Sequence, residues 1–177
     1  MTAQNRMEGR IAQLSVKPRV PGEHGLPKHP VPTLRVGPDG AEGDYNNYRR
    51  RKLPGDRDQA LLLVTEELLA TLRQEGWPVA PGDLGENLTL AGIREKDLAP
   101  GVGLRIGPVA IEISKPCDPC TELYTLPYVG DLRGAEFLET AIGRRGWYGK
   151  VLSGGVLFVG DPVLLIPPVE HFQAGPA

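Results

Sequence analysis

Val102-Gly103-Leu104-Arg105-Ile106-Gly107-Pro108-Val109-Ala110-Ile111-Glu112-Ile113 decides the fold class. Apolar side chains occupy alternate positions, first Val102, Leu104 and Ile106, then Val109, Ile111 and Ile113. A period of two lays one face of each run against a core, and the intervening Gly107-Pro108 supplies the turn of a hairpin. The C-terminal part repeats this style. Lys150-Val151-Leu152, Val156 to Val159 and Val163 to Ile166 are short apolar runs punctuated by Ser153-Gly154-Gly155 and Gly160-Asp161-Pro162. Toward the N-terminus, Ile11 to Val16, Leu34 with Val36, and Ala60-Leu61-Leu62-Leu63-Val64 read as further strands.

Helices are few. Thr65 suits an N-cap, Glu66 and Glu67 complement the positive end of the helix dipole, and Leu68, Leu69 and Leu72 form one stripe ending at Gly76. A second helix is expected over Gly134 to Ile142, with Phe137, Leu138 and Ile142 on one face and Gly143 as left-handed cap. The fold class is therefore mainly β with a few short helices, an α+β chain centred on a barrel-like sheet.

Composition agrees. Among 177 residues there are 23 glycines and 18 prolines, about twice the ordinary combined share of roughly 12%. Spread between apolar runs, they argue against a helical bundle and for short elements joined by tight turns. The expectation is one domain over 1–177, with a core at about 10–166 and a tail at 167–177. A chain of this size buries roughly 70% of the surface it exposes when unfolded, enough without disulfides. The net charge of −2 offers no general attraction to nucleic acid or to an anionic membrane. Residues 1–30 lack the apolar stretch of a signal peptide, and no run is long enough to span a bilayer. A cytoplasmic location, with reduced thiols, is expected.

Chemistry concentrates in four places. Cys117-Asp118-Pro119-Cys120 follows the strand ending near Ile113. A single Cys-x-x-Cys without a matching histidine spacing from His24, His29 or His171 is half a zinc site, and a β-rich setting does not open a helix as a redox dithiol needs. Two buried small residues, or one functional thiolate, stand ahead of the zinc and dithiol readings. Gly82-Asp83-Leu84-Gly85-Glu86-Asn87-Leu88-Thr89 sets polar groups between glycines that permit close backbone approach to a ligand; an ordinary turn is the plain alternative. Arg49-Arg50-Arg51-Lys52 could bind phosphate or be a solvated run, and Arg144-Arg145-Gly146-Trp147-Tyr148 places cations beside aromatics. Phosphate-loop, dinucleotide, flavin and iron–sulfur signatures are not found.

Taken in order, Gly43-Asp44, the Gly82 to Thr89 segment, Pro116-Cys117-Asp118-Pro119-Cys120 and Gly146-Trp147-Tyr148-Gly149-Lys150-Val151-Leu152 resemble the MOSC domain, the molybdenum cofactor sulfurase C-terminal domain and its stand-alone bacterial relatives. The resemblance spans about residues 10 to 166. It implies a barrel-centred fold, a cofactor of the molybdopterin type, and a metal-ligating, catalytic cysteine at Cys120. Gly85, Glu86 and Asn87 would bind the cofactor, with Arg57 and Arg145 as candidates for its phosphate or for substrate. Pyridoxal phosphate is not expected. Some relatives reduce small N-hydroxylated substrates, which would require an electron-donating reductase as partner. In the alternative, Cys120 carries a persulfide or the protein carries the cofactor, exchanging with a cofactor or sulfur donor protein.

Two departures stand out. Relatives place a His-Gly-Gly-type segment before an Asp-Arg-Ala step, whereas this chain reads Lys52-Leu53-Pro54-Gly55-Asp56-Arg57-Asp58-Gln59-Ala60. Many also carry arginine where Cys117 stands, so Cys117 either resolves an oxidised Cys120 or packs.

Overall fold

The computed structural model describes residues 8–45 and 52–168. Arg49, Arg50, Arg51 and His171 lie outside the described residues. Eleven strands are present: β1 (Glu8–Val16), β2 (His29–Val31), β3 (Thr33–Gly37), β4 (Gly40–Ala41), β5 (Leu61–Thr65), β6 (Leu88–Ala91), β7 (Gly103–Ile106), β8 (Val109–Pro116), β9 (Trp147–Ser153), β10 (Gly155–Phe158) and β11 (Pro162–Ile166). Two α-helices, α1 (Glu66–Gln74) and α2 (Gly130–Ala141), and two 3-10 turns, Glu95–Asp97 and Thr121–Thr125, complete the described elements.

Seven strands close a barrel in the order β11-β7-β8-β9-β5-β6-β1, and β1 returns to β11. The fold is mixed α+β around this barrel, as the alternating apolar runs imply. The β7–β8 hairpin pairs Leu104 with Ile111 and Ile106 with Val109. β1 bends at a register shift between Ile11 and Gln13. Its edge facing away from β6 is divided: Glu8, Gly9 and Arg10 pair with β11, while Leu14, Ser15 and Val16 pair with β2. β5 and β6 run parallel. Parallel neighbours need a crossover, and the chain through α1 provides it.

Side chains fill the barrel. Ile11, Leu14, Leu61, Leu63, Leu88, Leu104, Ile106, Ile111 and Ile113 belong to one buried cluster, and fully burying each such residue is worth about 1.5–3 kcal/mol. Val64 instead joins Leu68, Leu69, Leu72, Trp77, Leu84, Leu123 and Phe137 in a second cluster under the two helices. β5 is therefore covered on both faces, which is why its sequence is a continuous apolar run.

Thr65 caps α1 as expected, its hydroxyl accepting from Leu68 N at 3.1 Å. Four expectations need correction. α2 begins at Gly130, not Gly134, and its buried face is Gly134, Phe137 and Ala141. Ile142 lies past the last turn, 67% exposed, and does not share that face. β8 continues to Pro116, beyond Ile113, because its outer half pairs with Gly149, Tyr148 and Trp147 of β9. β10 does not fold back on β9: it pairs with β3, which pairs with β4, in a separate small sheet. No described helix is long and apolar enough to cross a membrane.

Candidate functional site

Leaving β8 after Pro116, the chain is tied to the start of β9 by Cys117 N donating to Gly146 O at 2.9 Å. Cys117 is buried and Cys120 exposed, and both thiols are free. Burial pushes the Cys117 thiol up, with Arg145 and the Tyr148 hydroxyl opposing. Cys120 precedes the Thr121–Thr125 turn without a side-chain capping bond, so the Cys-x-x-Cys step does not open an α-helix. The described residues hold no group of three or more His, Cys, Asp or Glu side chains able to hold a metal, and His24 and His29 are exposed. Neither the zinc nor the helical dithiol reading has its surroundings here.

Arg145 organises this corner. It is 8% exposed. Its Nη1 donates to Asp118 O and to Cys120 Sγ, each at 3.0 Å, and its Nε to Leu84 O at 3.3 Å. One guanidinium thus ties the cysteine loop to the Gly82–Thr89 loop. Burial opposes its charge, but the Cys117 and Cys120 thiols outweigh this and hold it above its ordinary value. Arg144 points elsewhere, clamping Glu75 through two bonds of 2.6 and 2.8 Å.

The Gly82–Thr89 loop is braced from inside. Gly82 has φ +96, and a side chain there would overlap Lys28 O. Glu86 is fully buried: its Oε1 accepts from Gly82 N at 2.7 Å and from Thr89 Oγ1 at 3.2 Å, while Oε2 has no partner. Burial, aided by the Asp83 charge and opposed by these bonds, raises its pKa. A folded-state pKa above the unfolded value favours folding fully below the unfolded pKa, and this contribution is lost as pH rises through the folded pKa. Urea titrations at pH 5 and pH 8 should therefore show a smaller loss of stability for Glu86→Gln than for the wild type. Equal losses in the two proteins would contradict a raised pKa at Glu86.

Asn87 is saturated. Its backbone N donates to Leu62 O at 2.8 Å, Oδ1 accepts from Leu62 N at 3.3 Å, and Nδ2 donates to Ser15 O at 3.2 Å and Asp44 Oδ2 at 3.0 Å. Asp44 also receives Lys28 Nζ at 2.6 Å and Lys17 N at 2.9 Å.

These loops surround a cleft of about 700 Å³. Gly85, Asn87, Cys120 and Arg145 line it together. Glu86 does not reach it, being the internal strut of its loop. Arg57 does not reach it either. Asp56 Oδ1 accepts from Asp58 N at 2.9 Å in a tight turn, and Arg57 points outward to Asp39 at 3.6 Å, both largely exposed. The step Asp58-Gln59-Ala60 instead presents Gln59 to the cleft. Its place in an Asp-x-Ala step was the signal that could have singled it out. Lys52 of the basic run and Tyr148 of the arginine-aromatic segment also line the cleft, as do Lys28 and Lys115, which the sequence did not single out. Burial and the neighbouring Cys117 push the Tyr148 hydroxyl far above its ordinary pKa. The proline-rich stretch from Pro18 to Pro32, featureless in sequence, supplies a wall through Gly25, Leu26 and Lys28.

Comparison with known proteins adds to this geometry. The MOSC domain family matches residues 50–164. The chain is 31% identical over 137 residues to Protein YiiM of Escherichia coli (strain K12), covering 74% of this chain and 58% of YiiM. It therefore spans less than two thirds of that relative's length. Among solved structures, YiiM from Geobacillus stearothermophilus superposes with a TM-score of 0.67 at 27% identity, over 94% of this chain and 79% of that one. The YUAD protein from Bacillus subtilis gives a TM-score of 0.73 over 91% of this chain and 97% of that chain, and at 18% identity it speaks for the fold alone.

Proposed function

The chain belongs to the MOSC domain family, and from that premise we propose that its cleft holds a molybdenum cofactor of the molybdopterin type, with Cys120 as the protein ligand to the metal, and reduces small N-hydroxylated substrates. The observation that carries the reading is an exposed thiol at a cleft, positioned by a buried guanidinium at 3.0 Å. The residues fit such a group. A molybdenum centre that brings its own dithiolene sulfurs asks the protein for one soft thiolate, not for a cluster of three side chains. Three basic side chains, Lys52, Lys115 and Arg145, line the cleft against two acidic ones, Asp118 and Glu122, the charge of Lys28 being balanced by Asp44. That excess suits an anionic ligand carrying phosphate.

Held by Cys120, such a cofactor would supply two electrons, which with two protons would convert R–NHOH to R–NH2 and water. The chain's own part is positional. Arg145 fixes Cys120 and the Asp118 carbonyl, Gly85 lets the cleft floor lie close to Leu26, and Asn87 locks that floor to β5 and β1. Glu86 acts beneath the loop, and no contact is assigned to Arg57. Electrons come from a reductase partner in the cytosol. A second reading, transfer of cofactor or persulfide sulfur by Cys120, is favoured by the second thiol of Cys117 in the same loop.

Protein purified anaerobically from a cofactor-competent host should contain molybdenum and pterin, and Cys120→Ser should drop molybdenum toward background while keeping its fold. Reductase activity on a hydroxylamino purine with an artificial donor should be lost in the same variant. Wild-type protein without molybdenum overturns the proposal. Wild-type protein that instead acquires a sulfur adduct on Cys120 from a cysteine desulfurase establishes the second reading.

A further inference from the structure

Gln59 is 6% exposed, yet its carboxamide makes no hydrogen bond within the protein among the described residues. The head is not sealed in either, because among the described residues the unpartnered polar atom enclosed completely is Glu86 Oε2. Gln59 lines the cleft, so the sliver it exposes includes its amide. An amide that opens onto the cleft and has no partner in the protein is left to pair with what the cleft holds, water or a ligand.

Its neighbours are occupied. Asn87, the other carboxamide on the cleft, is committed to Leu62, Ser15 and Asp44. Tyr148 is turned to Cys117, and Lys28 to Asp44. Gln59 therefore offers an uncommitted donor and acceptor side by side, a pair that matches an N–H next to a carbonyl or ring nitrogen.

We propose that Gln59 reads the edge of a bound nitrogen heterocycle, pairing its carboxamide with a donor and an acceptor on adjacent atoms, as in a lactam. The heterocycle is either the pterin of the cofactor or a base-like substrate. The pterin case rests on the cofactor reading above; the substrate case does not.

Full-length protein from a host unable to make the cofactor is titrated with 6-hydroxymethylpterin and with hypoxanthine, and with their counterparts methylated on the lactam nitrogen. Wild type should bind at least one lactam probe, and its methylated counterpart at least about tenfold more weakly. Gln59→Leu, matched in thermal midpoint, should lose this discrimination and bind both forms weakly. Gln59→Glu, which offers acceptors only when ionised, should also be impaired. Preference for the pterin identifies the cofactor as the source, and preference for hypoxanthine a substrate. The proposal is overturned if neither lactam binds wild type, if methylation makes no difference, or if Gln59→Leu binds like wild type. Molybdenum content of wild type from a competent host is measured in parallel. Metal present with unchanged Gln59→Leu binding sinks this inference alone; metal absent with a lactam-selective hypoxanthine site sinks the cofactor reading alone.

Discussion

Asp44→Ala should destabilise the protein by about 3–5 kcal/mol, the usual loss when one partner of a buried ion pair is removed. Asp44 and Lys28 approach to 2.6 Å, and each side chain is only 7% exposed. The same carboxylate accepts from Asn87 Nδ2 and Lys17 N, so the variant strands an ammonium and two further donors at once. Asp44→Ala combined with Lys28→Met removes the stranded charge and should recover a good part of the loss, since an apolar replacement of both partners is often near neutral. Urea unfolding of the wild type, both single variants and the double variant gives the coupling directly. A single Asp44→Ala within about 0.5 kcal/mol of wild type would show that the pair does not hold this wall.

Gly146→Ala is expected to cost about 3 kcal/mol or more. Two effects add: φ is +89, a conformation disfavoured by about 1–2 kcal/mol for a residue with a side chain, and a Cβ would drive into Leu63 O, with Val64 Cγ2 at 2.7 Å. Overpacking of this kind costs typically 1–3 kcal/mol. Leu63 cannot retreat, because β5 is paired on both sides, to Trp147 and to Leu88. Gly143→Ala is the internal control. It also has positive φ, +67, but a Cβ there meets nothing within 4 Å, so only the conformational part, about 1 kcal/mol, should be lost. Equal thermal shifts for the two variants would refute the steric part of the account. Because Gly146 adjoins Arg145, the damaged variant should also hold Cys120 less firmly, read as faster alkylation of that thiol.

The parts of this fold legible in sequence are those whose partners lie nearby or whose faces share one environment. The β7–β8 hairpin closes on itself through two residues, and Thr65 caps the helix it begins. β5 reads as buried because it is apolar throughout, but nothing local says that β9 and β6 flank it. The same limit governs the site. Cys120 and Gly85 announce themselves by residue type in loops beside strands. Lys28 does not, because its burial depends on Asp44, and its neighbouring prolines mark only an irregular path. Arg57 draws attention by its charge, whereas the turn at Asp56 sends it to solvent and gives the cleft to uncharged Gln59. Ile142 fails for a simpler reason: hydrophobic periodicity does not mark the turn at which a helix stops.

The divided edge of β1 carries a consequence for the order of assembly. β11 is the strand that bridges β1 and β7. During synthesis both of those strands present an unpaired rim until residues 162–166 have emerged, so the ring stays open until the last strand of the barrel is made. Open rims of this kind invite pairing with other chains. The rim of β1 is partly shielded in the meantime, since β2 covers its far half as soon as His29–Val31 is made. β7 acquires only β8 before β11 arrives, and the β7 rim is therefore where a chain stalled or cut short of β11 is expected to aggregate.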